Sequence, residues 1–246
     1  MAVQTLSKVP TESSYKNHIA RHGHKLDNPL RDVILGGQDG LVNALGIILG
    51  ILAAGGDIHI LIATVMAANF AESISMGAVG YTSSLAQKDY YDSEREKEER
   101  EIDKEPEMEK EEIRRIYKKK GFSGKVLEEI VATVSGNREN WVDLMMAEEL
   151  NIQPVESKDV INTSIIITIA TFIGHMNPIM PFFFVHGTPA LVTSIVVSAV
   201  ALFAVGAYQA LTLVGSWWKS GLRLVVIGLV AALIGFAIAK FFHVTV

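Results

Sequence analysis

Two sets of carboxylates in this chain have spacings suited to a divalent cation. The first lies in residues 89–113, DYYDSEREKEEREIDKEPEMEKEEI, where Glu98 and Glu101 form an ExxE pair and Glu109 and Glu112 repeat it beyond Pro106. On a helix, positions i and i+3 share a face, so each pair offers two carboxylates to one ion. Glu94 and Glu105 extend that face at i−4 and i+7 from Glu98. A hairpin at Pro106 would turn the two pairs toward each other, and four crowded carboxylates repel until a cation relieves them. The ordinary reading of such a run is a solvated helix face stitched by ion pairs, with Arg95, Lys97, Arg100, Lys104 and Lys110 available for that. Further on, Met145 and Met146 precede Glu149 by four and three residues. Two thioethers beside a carboxylate suit borderline transition ions better than Mg²⁺ or Ca²⁺. The alternative is that Trp141, Leu144 and Met145 form a plain apolar stripe.

The second set lies in apolar surroundings. Asp39 and Glu72 are the acidic residues well inside uncharged windows, with Asp32 at the edge of the first. A carboxylate in a bilayer costs a few kcal/mol on insertion scales, so it normally faces a pathway or a partner. Asn43 follows Asp39, and Met76 follows Glu72, each by four residues on the same helical face. The depths of Asp39 and Glu72 differ by about 5 Å at 1.5 Å per residue, so one cation can meet both. Gly36/Gly40 and Gly46/Gly50 are small-xxx-small pairs suited to close helix crossings. His175, in Gly-His-Met-Asn-Pro, reads as a side chain hydrogen-bonded beside a Pro178 kink rather than as a proton relay. His22 and His24 lie in a polar leader and are unspecific.

These residues need helices to position them. Of 246 residues, 49% are hydrophobic, and they cluster into five windows at about 33–54, 58–81, 160–184, 189–214 and 222–242. Each reaches the length of about 20 residues that crosses a hydrocarbon core of roughly 30 Å. The fourth and fifth carry no acid and read as scaffold. The second has no stop signal, so one long helix runs from about 58 to 104, where Pro106 ends it. Further helices are predicted over about 107–120, 124–135 and 138–150, divided by Gly121 and by Gly136-Asn137. No segment alternates with period two. The reading is all-α: a basic leader over 1–32, spans one and two over 33–88, an acidic helical metal-binding domain over 89–157, and spans three to five over 158–246.

Charge is distributed accordingly. Of 27 acidic residues, 20 lie within 89–156, and there is no cysteine, which excludes disulfides and thiolate zinc sites. Lys8, Lys16, Arg21, Lys25 and Arg31 precede the first span, and Lys219 and Arg223 lie between the fourth and fifth. Positive-inside alternation predicts a cytosolic N-terminus and acidic domain and an outside C-terminus. The short leader has no apolar signal core, which favours a prokaryotic cell membrane, or a vacuolar membrane in a eukaryote.

The combination RDVILGGQDGLVNALGIILG, ESISMGAVGY, a glutamate-rich helical hairpin and WVDLMMAEEL resembles the vacuolar iron transporter family from about Arg31 onward. The resemblance implies a homodimeric antiporter that moves Fe²⁺, and often Mn²⁺, out of the cytosol against protons, along a route between the first and second spans at the dimer interface. It assigns Asp39 and Met76 to that route, and Glu98, Glu101, Glu109, Glu112, Met145, Met146 and Glu149 to the cytosolic metal set. One position departs. The family's second-span glutamate falls two turns before Met76, where this chain has Ala68, and Glu72 one turn nearer is expected to take its role. Asp32 and Asn43 complete the expected pathway.

No resident cofactor is implied. The ions are cargo, and Fe²⁺, Mn²⁺, Co²⁺ and Zn²⁺ all suit these donors. The expected partners are the bilayer, metal ions, protons and a second copy of the chain, with no nucleic acid. A membrane-tethered di-iron enzyme is disfavoured, since such bundles need Glu-x-x-His motifs and residues 89–156 contain no histidine. A metal sensor or buffer with a passive anchor is the remaining alternative, and it gives no reason for Asp39 and Glu72.

Overall fold

The computed structural model describes residues 29–212 and 215–242, and the leader with its lysines, His22 and His24 lies outside them. The chain folds into eight α-helices among the described residues: α1 Pro29–Ala53, α2 Ile58–Lys104, α3 Pro106–Lys119, α4 Gly124–Ser135, α5 Arg138–Glu148, α6 Ser157–Ile179, α7 Thr188–Thr212 and α8 Trp217–Phe241. Five of these are long and apolar enough to cross a membrane: α1, α2, α6 with its 3₁₀ extension Met180–Phe183, α7 and α8. Their outward faces carry large apolar side chains, among them Phe70, Ile74, Ile173, Val200 and Leu211. Surface of that kind is stable against hydrocarbon and not against water.

Helix limits follow local chemistry. Asp57 caps α2 by accepting from the His59 amide at 2.7 Å. Pro106 stands at the first position of α3, where its missing N–H costs nothing, so the chain turns between α2 and α3 at Glu105. Asn137 caps α5 through the Asn140 amide at 3.1 Å. α1 begins a turn before the expected boundary because Pro29 opens it. α5 ends at Glu148 rather than Leu150, followed by Asn151 with a φ of 53°.

Glycines set the helix spacing in the membrane part. α6 runs between α1 and α2. A Cβ on Gly36 would lie 2.6 Å from the Ile167 carbonyl, and one on Gly80 would lie 2.8 Å from Ile167 Cδ1. Gly174 closes the same seam by meeting the Gly37 backbone. On its other side α1 meets α8 through Gly46, Gly50 and Gly235, while α7 and α8 cross at Gly206 and Gly221. The small-residue pairs therefore serve close packing, but against α6 and α8 rather than α2. An apolar core of Ala44, Ile48, Leu61, Val65, Ile179, Phe182 and Ala190 ties α1, α2, α6 and α7 together beyond this seam.

The polar domain has its own core. Ile102, Ile113, Val131, Trp141, Val142, Met145 and Met146 pack where the end of α2 meets α3, α4 and α5. Arg95 reaches Asp143 at 2.6 Å, and Arg138 pairs with Asp103 and donates to the Glu99 carbonyl at 3.2 Å, so α5 is clamped to α2 at two points.

Candidate functional site

The acidic run divides into two populations. Most of its acids satisfy the ion-pair reading: Asp92 pairs with Lys88, Glu94 with Lys97, Glu96 with Arg100, Glu107 with Lys110 and Glu111 with Arg114. Glu94 thus leaves the expected metal face. Among the described residues, Glu98, Glu101, Glu109, Glu112 and Glu149 make no ion pair with a lysine or arginine. The turn at Glu105 brings Glu98 of α2 opposite Glu109 of α3, close enough to share a proton. Both are buried, and Glu98 Oε1 and Glu109 Oε2 lack any hydrogen-bond partner.

Such a cluster shifts its own titration. Burial, then the adjacent Glu109, pushes Glu98 up from 4.5 to about 8. Burial likewise raises Glu109, with Glu112, Glu101 and Glu105 adding repulsion. Glu149 keeps a face toward solvent, yet desolvation of its inner face and the charge of Glu112 raise it to about 7. A group of carboxylates held this way takes up protons, or a cation, near neutral pH. Met145 and Met146 are fully buried in the domain core, as the apolar-stripe reading has it, at the end of α5 that leads to Glu149. Among the described residues, no three His, Asp or Glu side chains converge closely enough to hold a metal ion as they stand. The donors come in facing pairs.

In the membrane part a second set of pairs forms. Asp39 and Glu72 lie within hydrogen-bonding reach, although α6 separates much of α1 from α2. Asn43 Nδ2 donates to Glu72 Oε2. Asp39 and Asn43 are exposed on the flank of α1, and Glu72 is half-buried. Below them a cavity of about 300 Å³ is lined by Arg31, Asp32, Met76, Ser83, Gln87 and Asp159 among others. Met76, one turn from Glu72, and Asp32 are both in its lining. Ala68 supplies no polar atom on this face.

His175 is the residue whose place the sequence reading missed. It is fully buried on α6, and its Nε2 lies 3.1 Å from Glu72 Oε2. Its Nδ1 stands 3.3 Å from the Thr171 carbonyl. The expected hydrogen bond is thus made, to the Thr171 carbonyl, while the approach to Glu72 was not foreseen; Gly40 leaves room for the ring, since a Cβ there would come within 2.7 Å of Nδ1. Asn69, one turn beyond Glu72, is also buried, with its Nδ2 unpartnered and its Oδ1 accepting from Ser73 at 3.1 Å. A histidine after a glycine in an apolar span was the available signal, but its facing depended on the packing of three helices.

Comparison with known proteins supplies an independent line. A family profile described as the VIT family matches residues 30–240. Vacuolar iron transporter 1 of Tulipa gesneriana is 29% identical over 235 residues, covering 94% of this chain and 95% of the relative. Vacuolar iron transporter 1 of Arabidopsis thaliana is 27% identical over 239 residues, covering 97% and 96% respectively. Vacuolar iron transporter 2 of Oryza sativa subsp. japonica is 29% identical over 212 residues, covering 86% of each chain.

Proposed function

This chain belongs to the VIT family, and from that premise we propose that it exports ferrous iron from the cytosol in exchange for protons. The family's curated members are transporters rather than enzymes, named for iron. The observation that carries the proposal is the meeting of Asp39, Asn43 and Glu72 from two different spans in an apolar setting. Carboxylates brought together there need a cation or a proton to offset their repulsion. The same atoms serving metal and proton in turn is the simplest coupling chemistry, because ligands must be deprotonated to bind.

The route has three stages. The unpaired carboxylates Glu98, Glu101, Glu109, Glu112 and Glu149, with Met145 and Met146, capture metal on the cytosolic side. Their summed negative potential raises its local concentration. The ion then enters the cavity past Asp32 and reaches Met76. Asp39 and Glu72 take it up, and protons arriving from the far side release it. A homodimer fits this scheme, since Asp39 and Asn43 are exposed on an otherwise apolar flank and need a polar or partner-covered setting. Mn²⁺, Co²⁺ and Zn²⁺ suit the same donors.

The test is metal uptake into proteoliposomes under an imposed pH gradient. Wild type should move Fe²⁺ only with the gradient, and Asp39→Asn should abolish flux while metal binding by the acidic domain persists. Undiminished transport by Asp39→Asn would remove Asp39 from the pathway. Metal binding without flux under any gradient would favour the sensor or buffer reading.

A further inference from the structure

We propose that His175 is a ligand for the ion in transit, and that its imidazole biases the membrane site toward Fe²⁺ over Mg²⁺, Ca²⁺ and Mn²⁺. The inference rests on the transport reading above and adds a donor that no motif in the spans announced. Three observations carry it. First, His175 is wholly buried, and its Nε2 has no hydrogen-bond partner of acceptable geometry. Second, its Nδ1 lies 3.3 Å from the Thr171 carbonyl, an atom that can only accept. That contact places the ring proton on Nδ1 and leaves the Nε2 lone pair free, the tautomer in which histidine ligates metals. Third, a carboxylate oxygen, Glu72 Oε2, lies 3.1 Å from Nε2 but off the axis that a direct hydrogen bond needs.

A lone pair beside a carboxylate is unfavourable unless a proton or a metal cation lies between them, and exchange of the two is what the transport reading requires. Two ligands each about 2.1 Å from a shared ion and at right angles are separated by about 3.0 Å. The observed separation is therefore one that a bound ion would use without moving either side chain. Asp39 and Asn43 both reach Glu72, and they complete the shell by turning toward the ion as it arrives. The identity of the added donor matters. Carboxylate and carbonyl oxygens alone suit Mg²⁺, Ca²⁺ and Mn²⁺, whereas imidazole shifts preference toward Fe²⁺ and the later transition ions. Gly40 gives the arrangement its space, since any side chain there meets Nδ1.

The direct test uses pulsed electron paramagnetic resonance on the full chain in detergent, with Mn²⁺ as the probe. Residues 89–156 hold no histidine, so Mn²⁺ in the acidic domain gives no imidazole ¹⁴N coupling. Wild type should show that coupling, and His175→Gln should lose it while keeping the same melting temperature. In proteoliposomes His175→Gln should carry Fe²⁺ about tenfold or more slowly, with Mn²⁺ less affected and Ca²⁺ a better competitor. Absence of ¹⁴N coupling in wild type, while Glu72→Gln still abolishes flux, would overturn the ligand role and leave transport standing. Persistence of the coupling in His175→Gln would assign it to another histidine and overturn it equally. No gradient-driven flux in wild type would overturn the transport reading and this inference with it.

Discussion

Metal capture by the acidic domain should expel protons, and the shifted carboxyls give the amount. With Glu98 at about 8 and Glu149 at about 7, the first is about 90% protonated at pH 7 and the second about 50%. An ion that takes both carboxylates therefore releases about 1.4 protons from these two, and Glu109, also raised by burial, adds to that. Between pH 8 and pH 6 the same protons weaken binding about 50-fold through Glu98 alone and about 500-fold through both. The sign for stability is opposite in the metal-free domain. Both groups lie above their usual 4.5 when folded, so their protonation favours the fold. Stability falls as pH rises from about 4.5 to about 8 and levels off beyond. The assay is calorimetric titration of the full chain with Mn²⁺ at pH 7 in buffers of different ionisation enthalpy, which yields protons released per metal. Glu98→Gln should release fewer protons than wild type, because it removes one member of the proton-sharing pair with Glu109. Equal proton release by the two, or Mn²⁺ affinity that is the same at pH 6 and pH 8, would refute the reasoning.

Two other perturbations separate roles that share a residue. Gly40→Ala places a methyl against the His175 ring and the Thr171 carbonyl, so it should destabilise the α1–α6 seam by about 1–3 kcal/mol and slow transport, read by thermal unfolding and liposome flux. Met145→Ala should cost about 2–5 kcal/mol by emptying the domain core, whereas Met145→Leu should fold normally and lose metal affinity if the thioether is a donor. An unchanged affinity in Met145→Leu, measured by competition with a chromogenic chelator, would leave Met145 a core residue alone.

Much of the architecture is legible in the residues. The uncharged windows give the five spans because their length is fixed by bilayer thickness. Pro106, Gly121 and Gly136-Asn137 divide the acidic domain because each disfavours helix continuation for a local reason. The ExxE spacing on either side of Pro106 is enough to expect Glu98 and Glu109 to face each other, which they do. What escapes is decided by tertiary packing. Helical periodicity tells which residues share a face but not which neighbour that face meets, so the approach of His175 to Glu72 depends on Gly36, Gly40 and Gly174 admitting α6 beside α1. Likewise, no local rule pairs Arg95 with Asp143, 48 residues away, and that pairing helps decide which acids are left without a counter-ion.

The unbroken course of α2 has a mechanical consequence. Glu72 and Glu98 stand on one uninterrupted helix of 47 residues, separated by about 39 Å along its axis and about 80° around it. On the proposed route no ion can be handed directly from one to the other, so diffusion would have to cross the intervening distance. The two stations are nonetheless joined in torsion. If cation binding draws Glu98 and Glu109 together and rolls the lower end of the shaft, the upper end turns with it, altering the angle at which Glu72 meets Asp39 and His175. A bend at any point between them would absorb that rotation, and from Ile58 to Lys104 the helix contains no proline to supply one.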